Sequence, residues 1–354
     1  MSAFKDQSGK INSNLFHKVL APKTGRQRSS LIMGPAYGVD TAVIDLGNGQ
    51  GLAASSDPVS LIPSLGLKES AWLTVHLLAN DMATTGFAPQ FAQFVLNLPP
   101  DFELKAFEEY WGYIHEFCDK LGVAITGGHT AQVPGQQSTT PGGGTMFLQA
   151  PLNDIVTADG GAPGHKLVVT KESALVSSSI LAMSFPETVR EKCGEAVWRQ
   201  ATENFYRTSS LAEALAAAEV LQPNKELMAM HDVTEGGVLG AIAELAEASG
   251  CGFKVFDEQL PASEIPRKVC EVFDIDHRFC VGAGSMIMAV SQGCENRLQS
   301  HLEELDIAAS VVGELVPKEQ GSVLVEDGEE KLFEFDGEDP YWKAFFKAME
   351  EGWQ

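Results

Sequence analysis

Residues 69–83 are apolar nearly all round, with Ala71, Trp72, Leu73, Val75, Leu77, Leu78 and Ala79 distributed over every face of a 3.6-residue repeat. Such a segment is predicted to form a buried helix with Ser70 near its start, so the fold has to surround it. The segments around it are shorter. Residues 42–46 and 51–55 read as strands joined through Gly47-Asn48-Gly49-Gln50, whose Asn-Gly step is a strong hairpin signal. Residues 91–98 read as a further strand ended by Pro99-Pro100. Leu104, Phe107, Trp111, Ile114, Phe117 and Leu121 recur at three- and four-residue steps and predict an amphipathic helix closed by Gly122. A short strand over 123–126 then runs into Gly127-Gly128-His129-Thr130. With 354 residues the chain is expected to hold two domains of mixed α/β (α+β) class, hinged at 159–164.

The second half repeats the mixed pattern, with a strand at 167–170, helices at 187–201 and 209–220, and a strand at 286–290 after the close-approach loop Gly282-Ala283-Gly284-Ser285. Its strongest motif is His231-Asp232-Val233-Thr234-Glu235-Gly236-Gly237. Val238, Leu239, Ile242, Leu245 and Ala246 continue it at helical spacing, and Gly250 closes it. A helix opening on Gly236-Gly237 is expected to leave bare N–H groups and a positive dipole end facing Asp232. Residues 134–144 form a flexible loop long enough for a lid. The first thirty residues are polar and basic and read as a mobile arm able to fold over a ligand.

Aspartates beside glycines or at element ends point to chemistry: Asp40 after Gly38-Val39, Asp57 past a strand end, Asp81 near the end of the apolar helix, and Asp232 before its glycine pair. One such residue serves as well as a turn former or cap. Four together suit Mg²⁺ and polyphosphate, because a hard cation takes carboxylate oxygens plus the phosphates of a substrate. Asp81 is the strongest metal candidate, since a carboxylate at a helix C-terminus opposes the dipole and needs a cation. The 48 acidic residues against 25 basic ones give a net charge of −23, which argues against nucleic acid or an anionic membrane as partner. The six cysteines are scattered without a CxxC pair, so no zinc site is expected. No signal-peptide h-region or membrane-spanning run is seen, which predicts a reduced, cytoplasmic protein.

Taken in order, these motifs resemble the PurM-like superfamily, which includes AIR synthase, HypE, selenophosphate synthetase and thiamine-monophosphate kinase, over roughly residues 30 to 315. The chain is most similar to HypE-like, AIR synthase-related proteins. The likeness rests on Gly34-Pro35-Ala36-Tyr37-Gly38-Val39-Asp40-Thr41-Ala42-Val43-Ile44, on Asn80-Asp81 with Gly86-Phe87-Ala88-Pro89, on Gly127-Gly128-His129-Thr130, and on 231–240. It implies an arm (1–30), an N-terminal ATP- and Mg-binding domain (31–158) whose strands join a second chain's in a barrel, a C-terminal α/β domain (159–320) and a tail (321–354). It further implies a homodimer with ATP near the interface. Asp40, Asp57 and Asp81 would hold Mg²⁺, and Asn80, Gly127, Gly128 and Thr130 would add nucleotide contacts. Asp232, with Gly236 and Gly237, would face the site from the second domain.

The chemistry implied is phosphorylation of an amide- or carbonyl-type oxygen by ATP with loss of phosphate. Alternatives are a small-molecule kinase similar to thiamine-monophosphate kinase, and a non-catalytic ATP-binding partner in cofactor or hydrogenase maturation. The chain also departs from its relatives. HypE ends in a cysteine that carries the carbamoyl group, whereas these residues end Glu350-Glu351-Gly352-Trp353-Gln354. The substrate is then expected to be a small molecule, or a thiol or carboxamide presented by a partner protein. No cysteine precedes Cys118, which speaks against selenophosphate synthesis. His129 stands where relatives carry Asp or Glu; neutral His is a poor Mg²⁺ ligand, so either the site holds fewer cations or His129 meets substrate, and a His in a glycine turn is otherwise simply hydrogen-bonded. Ser178-Ser179 stands where relatives usually show Gly-Thr.

Overall fold

The computed structural model describes residues 9–335 and 337–354. Two sheets organise them. The first has six strands, β1 (Leu31–Met33), β2 (Ala42–Gly47), β3 (Gln50–Pro58), β4 (Phe91–Leu98), β5 (Ala124–Gln132) and β6 (Gly142–Pro151), in the order β1-β2-β3-β6-β4-β5. The second contains β7 (Lys166–Thr170), β8 (Leu227–Asp232), β9 (Gly252–Phe256), β10 (Met286–Val290), β11 (Ala309–Val316), β12 (Val323–Glu326) and β13 (Glu329–Leu332), in the order β13-β12-β9-β11-β7-β10-β8. The helices are α1 (Ser13–Leu15), α2 (Leu67–Ala83), α3 (Leu104–Lys120), α4 (Leu175–Ser184), α5 (Pro186–Cys193), α6 (Glu195–Glu203), α7 (Leu211–Val220), α8 (Gly237–Ala248), α9 (Glu264–Val272), α10 (Glu295–Glu304) and α11 (Pro340–Glu350).

The all-round apolar helix is α2, and the fold does surround it. Ala71, Val75, Leu78 and Met82 enter the core under the first sheet, Leu73 enters a helical core with α4, α6 and α9, and Ala83 meets the core beneath α7 and α10. Strand β4 alternates as its period of two requires. Ala92, Phe94 and Leu96 are buried against α2 and α3, while Phe91 and Val95 stay exposed on the opposite face. Strand β10 has no exposed face, because Ile287 and Ala289 pack toward α8 and Met286, Met288 and Val290 toward α7 and α10.

Several expectations are corrected. The region read as a short strand and a glycine turn is one edge strand, β5, which pairs in parallel with β4 through His129 and Thr130. Gly128 is needed there because a Cβ would collide with the Phe94 carbonyl across the ladder. The helix expected over 187–201 is two helices broken at Gly194, whose φ of 87° lies outside helical space. The loop read as a lid gives up Gly142–Gly144 to β6. The segment read as a tail supplies β12, β13 and α11. Helix α11 buries Tyr341 and Ala348, Trp353 packs 5.2 Å from Phe273, and the Gln354 carbonyl accepts the Thr188 N–H. The described part of the arm is also docked: Ser13 and His17 bind Glu247, and Lys10 binds Glu244, both on α8.

Candidate functional site

Four aspartates converge from four elements. Asp40 precedes β2, Asp57 lies near the end of β3, Asp81 sits in the last turn of α2, and Asp232 ends β8. Oxygens of Asp40 and Asp232 and a ring nitrogen of His231 all lie within 4.8 Å of one another. Burial drives the Asp81 carboxyl well above the carboxylate range, and the neighbouring Asp232, Asp57 and Asp40 push it further. Asp232 is displaced upward by burial first and Asp40 second. Asp57 rises to about 7 through burial and the charge of Glu235. Like charges this close cannot all ionise without compensation.

Hydrogen bonds supply little of that compensation. The Ser55 hydroxyl donates to Asp81 Oδ2 at 2.6 Å, but Asp40 Oδ2 and both oxygens of Asp232 are buried without a hydrogen-bond partner. His231 is no free ligand. Its Nδ1 lies 2.6 Å from the Asp232 carbonyl and its Nε2 3.0 Å from Glu244 Oε2, and both contacts are satisfied at once when the ring donates from both nitrogens. Burial opposes that charge, but Asp40 and Glu244 more than offset it and lift the imidazole pKa to about 9. Glu244 is likewise disfavoured by burial, yet Lys10 at 2.6 Å and His231 draw its carboxyl down to about 2. Lys10, Glu244, His231 and Asp40 thus form a chain of alternating charge from the arm to the aspartates.

The remaining orphaned oxygens fit a hard cation. They are carboxylates, they are buried, and among the described residues none is hydrogen-bonded, although the His231 ring stands 3.4 Å from Asp40 Oδ2 as an ion-pair partner. Such a centre can hold a divalent ion against phosphate oxygens, with Asp40, Asp57, Asp81 and Asp232 as its donor set.

The other expected residues are placed differently. Asn80 is fully buried, and its amide is consumed by the second half of the chain: Nδ2 donates to the Thr208 carbonyl and Oδ1 accepts the Ser210 N–H. Gly236 and Gly237 do not present bare donors. The Gly236 N–H binds Asp339, the Gly237 N–H binds the Thr234 carbonyl, and the Leu239 N–H binds the Arg278 carbonyl. Gly237 is required for its φ of 63° and because a Cβ would strike the Arg278 carbonyl. Gly127, Gly128, His129 and Thr130 are exposed on β5, separated from Asp57 on β3 by two intervening strands. Within one chain they do not join the aspartates. Ser178 and Ser179 are buried in α4 and bind the Leu175 and Ala201 carbonyls. Sequence reasoning missed Lys10, Glu235 and Glu244. A glutamate interrupting the apolar pattern of α8 was the one available signal for Glu244.

Comparison with known proteins identifies the family. Residues 38–147 match the family model "AIR synthase related protein, N-terminal domain", and residues 162–326 match "AIR synthase related protein, C-terminal domain". A Methanocaldococcus jannaschii protein named for hydrogenase expression and formation is 24% identical over 259 residues, 72% of each chain. A structure of the hydrogenase maturation protein HypE in complex with ATP superposes with a TM-score of 0.69 at 18% identity, covering 96% of this chain and 98% of that one. The structure of AaThiL complexed with AMPPCP and TMP gives 0.68 at 18% identity over 92% and 94%. With both family models matched in order across its two sheets, the chain belongs to the AIR synthase-related family, close to HypE.

Proposed function

We propose that this chain is an ATP- and Mg²⁺-dependent enzyme that phosphorylates an amide- or carbonyl-type oxygen, with subsequent loss of phosphate. Its substrate is a small molecule or a carboxamide presented on a partner protein's thiol. The observation that carries this reading is the convergence of Asp40 and Asp232, with buried oxygens left unpartnered, on Asp81 and Asp57, whose charges act on one another. When bound, Mg²⁺ neutralises phosphate charge. The chain's own contribution is placement: Asp40, Asp57 and Asp81 hold the ion from the first sheet and α2, while Asp232 faces it from the second sheet. Positioning and charge neutralisation dominate phosphoryl transfer in general. The division of labour follows the sheets, with cation binding in 31–158 and the substrate side in 159–320.

A homodimer completes the reading. The outer face of the first sheet exposes Ile32, Leu46, Phe91 and Val95, and β5 offers an unpaired edge. A second copy on that face brings its own Gly127, Gly128, His129 and Thr130 toward the aspartates, where His129 meets substrate. The kinase alternative is favoured by the likeness to a ThiL structure that holds a nucleotide analogue together with TMP. Phosphorus NMR of the products separates the two, since phosphorylation with loss yields free phosphate and a kinase leaves a phosphate ester or anhydride. Asp232→Asn is expected to slow turnover roughly 10²-fold while ATP affinity stays within a fewfold. Nucleotide binding with no turnover in either protein would leave only the assembly-partner role.

A further inference from the structure

Asp232 has no hydrogen bond on either carboxylate oxygen, so its place in the site is set by its backbone alone. That backbone runs directly into residues 234–236, whose own anchors are few: the Val233 N–H binds the Ser285 carbonyl, and the Thr234 carbonyl accepts from Gly237 and Gly282. We propose that Asp339, in the C-terminal segment, is a positioning residue that locks the 234–236 loop and thereby aims Asp232. The proposal rests on the cation-binding reading above, and lies outside the residues that match either family model.

The Asp339 carboxylate is 7% exposed and ties two segments together. Its Oδ2 accepts the Gly236 N–H at 2.9 Å and its Oδ1 accepts the Tyr341 N–H at 2.8 Å. The first tie holds the loop after Asp232 and the second opens α11. Phe335 supports the same place, because its ring lies so close to Gly236 that a Cβ there would sit 2.8 Å from it. Helix α11 gives the clamp a fixed base, since Tyr341 and Ala348 are buried in the core shared with α4, α6 and α9. Four carboxylates that repel one another would drive this loop outward in the absence of a cation, and a buried hydrogen bond from its backbone to Asp339 opposes that motion.

The test compares the full chain with Asp339→Ala and Asp339→Asn by amide hydrogen exchange and by phosphate release from Mg·ATP. In Asp339→Ala, protection over 234–240 is expected to fall at least tenfold while that of α3 is unchanged. The rate constant kcat is expected to fall about tenfold with KM within about threefold, because Asp40, Asp57 and Asp81 remain. Asp339→Asn keeps one acceptor and turns an NH₂ toward the other donor, so its effect is intermediate. Protection lost only in α11, with 234–240 as in the wild type, reduces Asp339 to a helix cap and overturns the proposal. If Asp339→Ala does not fold, Phe335→Ala is measured instead; it must show the same local loss, and unchanged protection there overturns the proposal equally. A wild-type chain that releases no phosphate defeats the enzymatic reading, while hydrogen exchange still decides the role of Asp339.

Discussion

Replacing one site aspartate with asparagine has two consequences of opposite sign. Asp232→Asn replaces a buried, unpartnered carboxyl whose ionisation burial and Asp40 oppose with a neutral amide of the same shape, so the metal-free protein should gain about 1–2 kcal/mol of stability at a pH high enough to ionise the wild-type group. The same change takes away charge that faces the cation, so the stabilisation that Mg²⁺ confers on the wild type should shrink, but by no more than about 1 kcal/mol, in keeping with a fewfold change in affinity. Thermal unfolding with EDTA and with Mg²⁺ reads both; a metal-free variant less stable than the wild type would contradict the repulsive cluster. His76 supplies a second residue-scale prediction. It stacks on Trp72 at 3.5 Å, its Nδ1 lies 3.0 Å from the Trp72 carbonyl, and burial lowers its pKa from 6.5 to about 4. The unfolded chain therefore binds this proton first, and the stability from a neutral His76 is fully present above pH 6.5 and lost as pH falls toward 4. That loss is roughly 3 kcal/mol. Urea unfolding at pH 7 and pH 4.5 should show a smaller acid penalty in His76→Phe than in the wild type.

At the scale of elements, much was legible because local patterns carried it. The apolar circumference of α2, the Asn48-Gly49 hairpin and the stripe along α3 each dictate their structure within a short window, and the four aspartates stand out because they sit at element ends. What failed depends on partners far away in sequence. Gly128 looks like a turn residue until Phe94 lies against it across a strand pair. Gly236 looks like a free phosphate donor until Asp339, 103 residues on, takes its N–H. Lys10 in a polar arm gives no sign of Glu244, 234 residues away. Gly237→Ala tests the corrected account of the helix start. An alanine there has to hold φ near 63° and displace the Arg278 carbonyl, which should cost about 2 kcal/mol or more in urea unfolding, whereas loss of a mere flexible hinge would cost under about 1.

The whole molecule presents two sheets that meet at the aspartates and one sheet face left open. Its exposed Phe91, 5.3 Å from Phe147, and Val95 form the centre of the predicted dimer contact. Light scattering should give a mass about twice 38.0 kDa for the wild type and 38.0 kDa for a Val95→Asp variant. In the proposed dimer Gly127–Thr130 reach the aspartates from the second copy, so the same variant should also bind Mg·ATP less tightly. A wild-type monomer of full affinity would remove both the dimer and the proposed place of His129.

The most direct test of the account is thermal unfolding of the wild type and Asp81→Asn with and without saturating Mg·ATP. Ligand at about a hundred times its Kd adds roughly 2.7 kcal/mol of stability, several degrees for domains of this size. The account predicts that rise in the wild type and its loss in Asp81→Asn. No rise in the wild type, or an equal rise in both proteins, would contradict a nucleotide site built on the four aspartates.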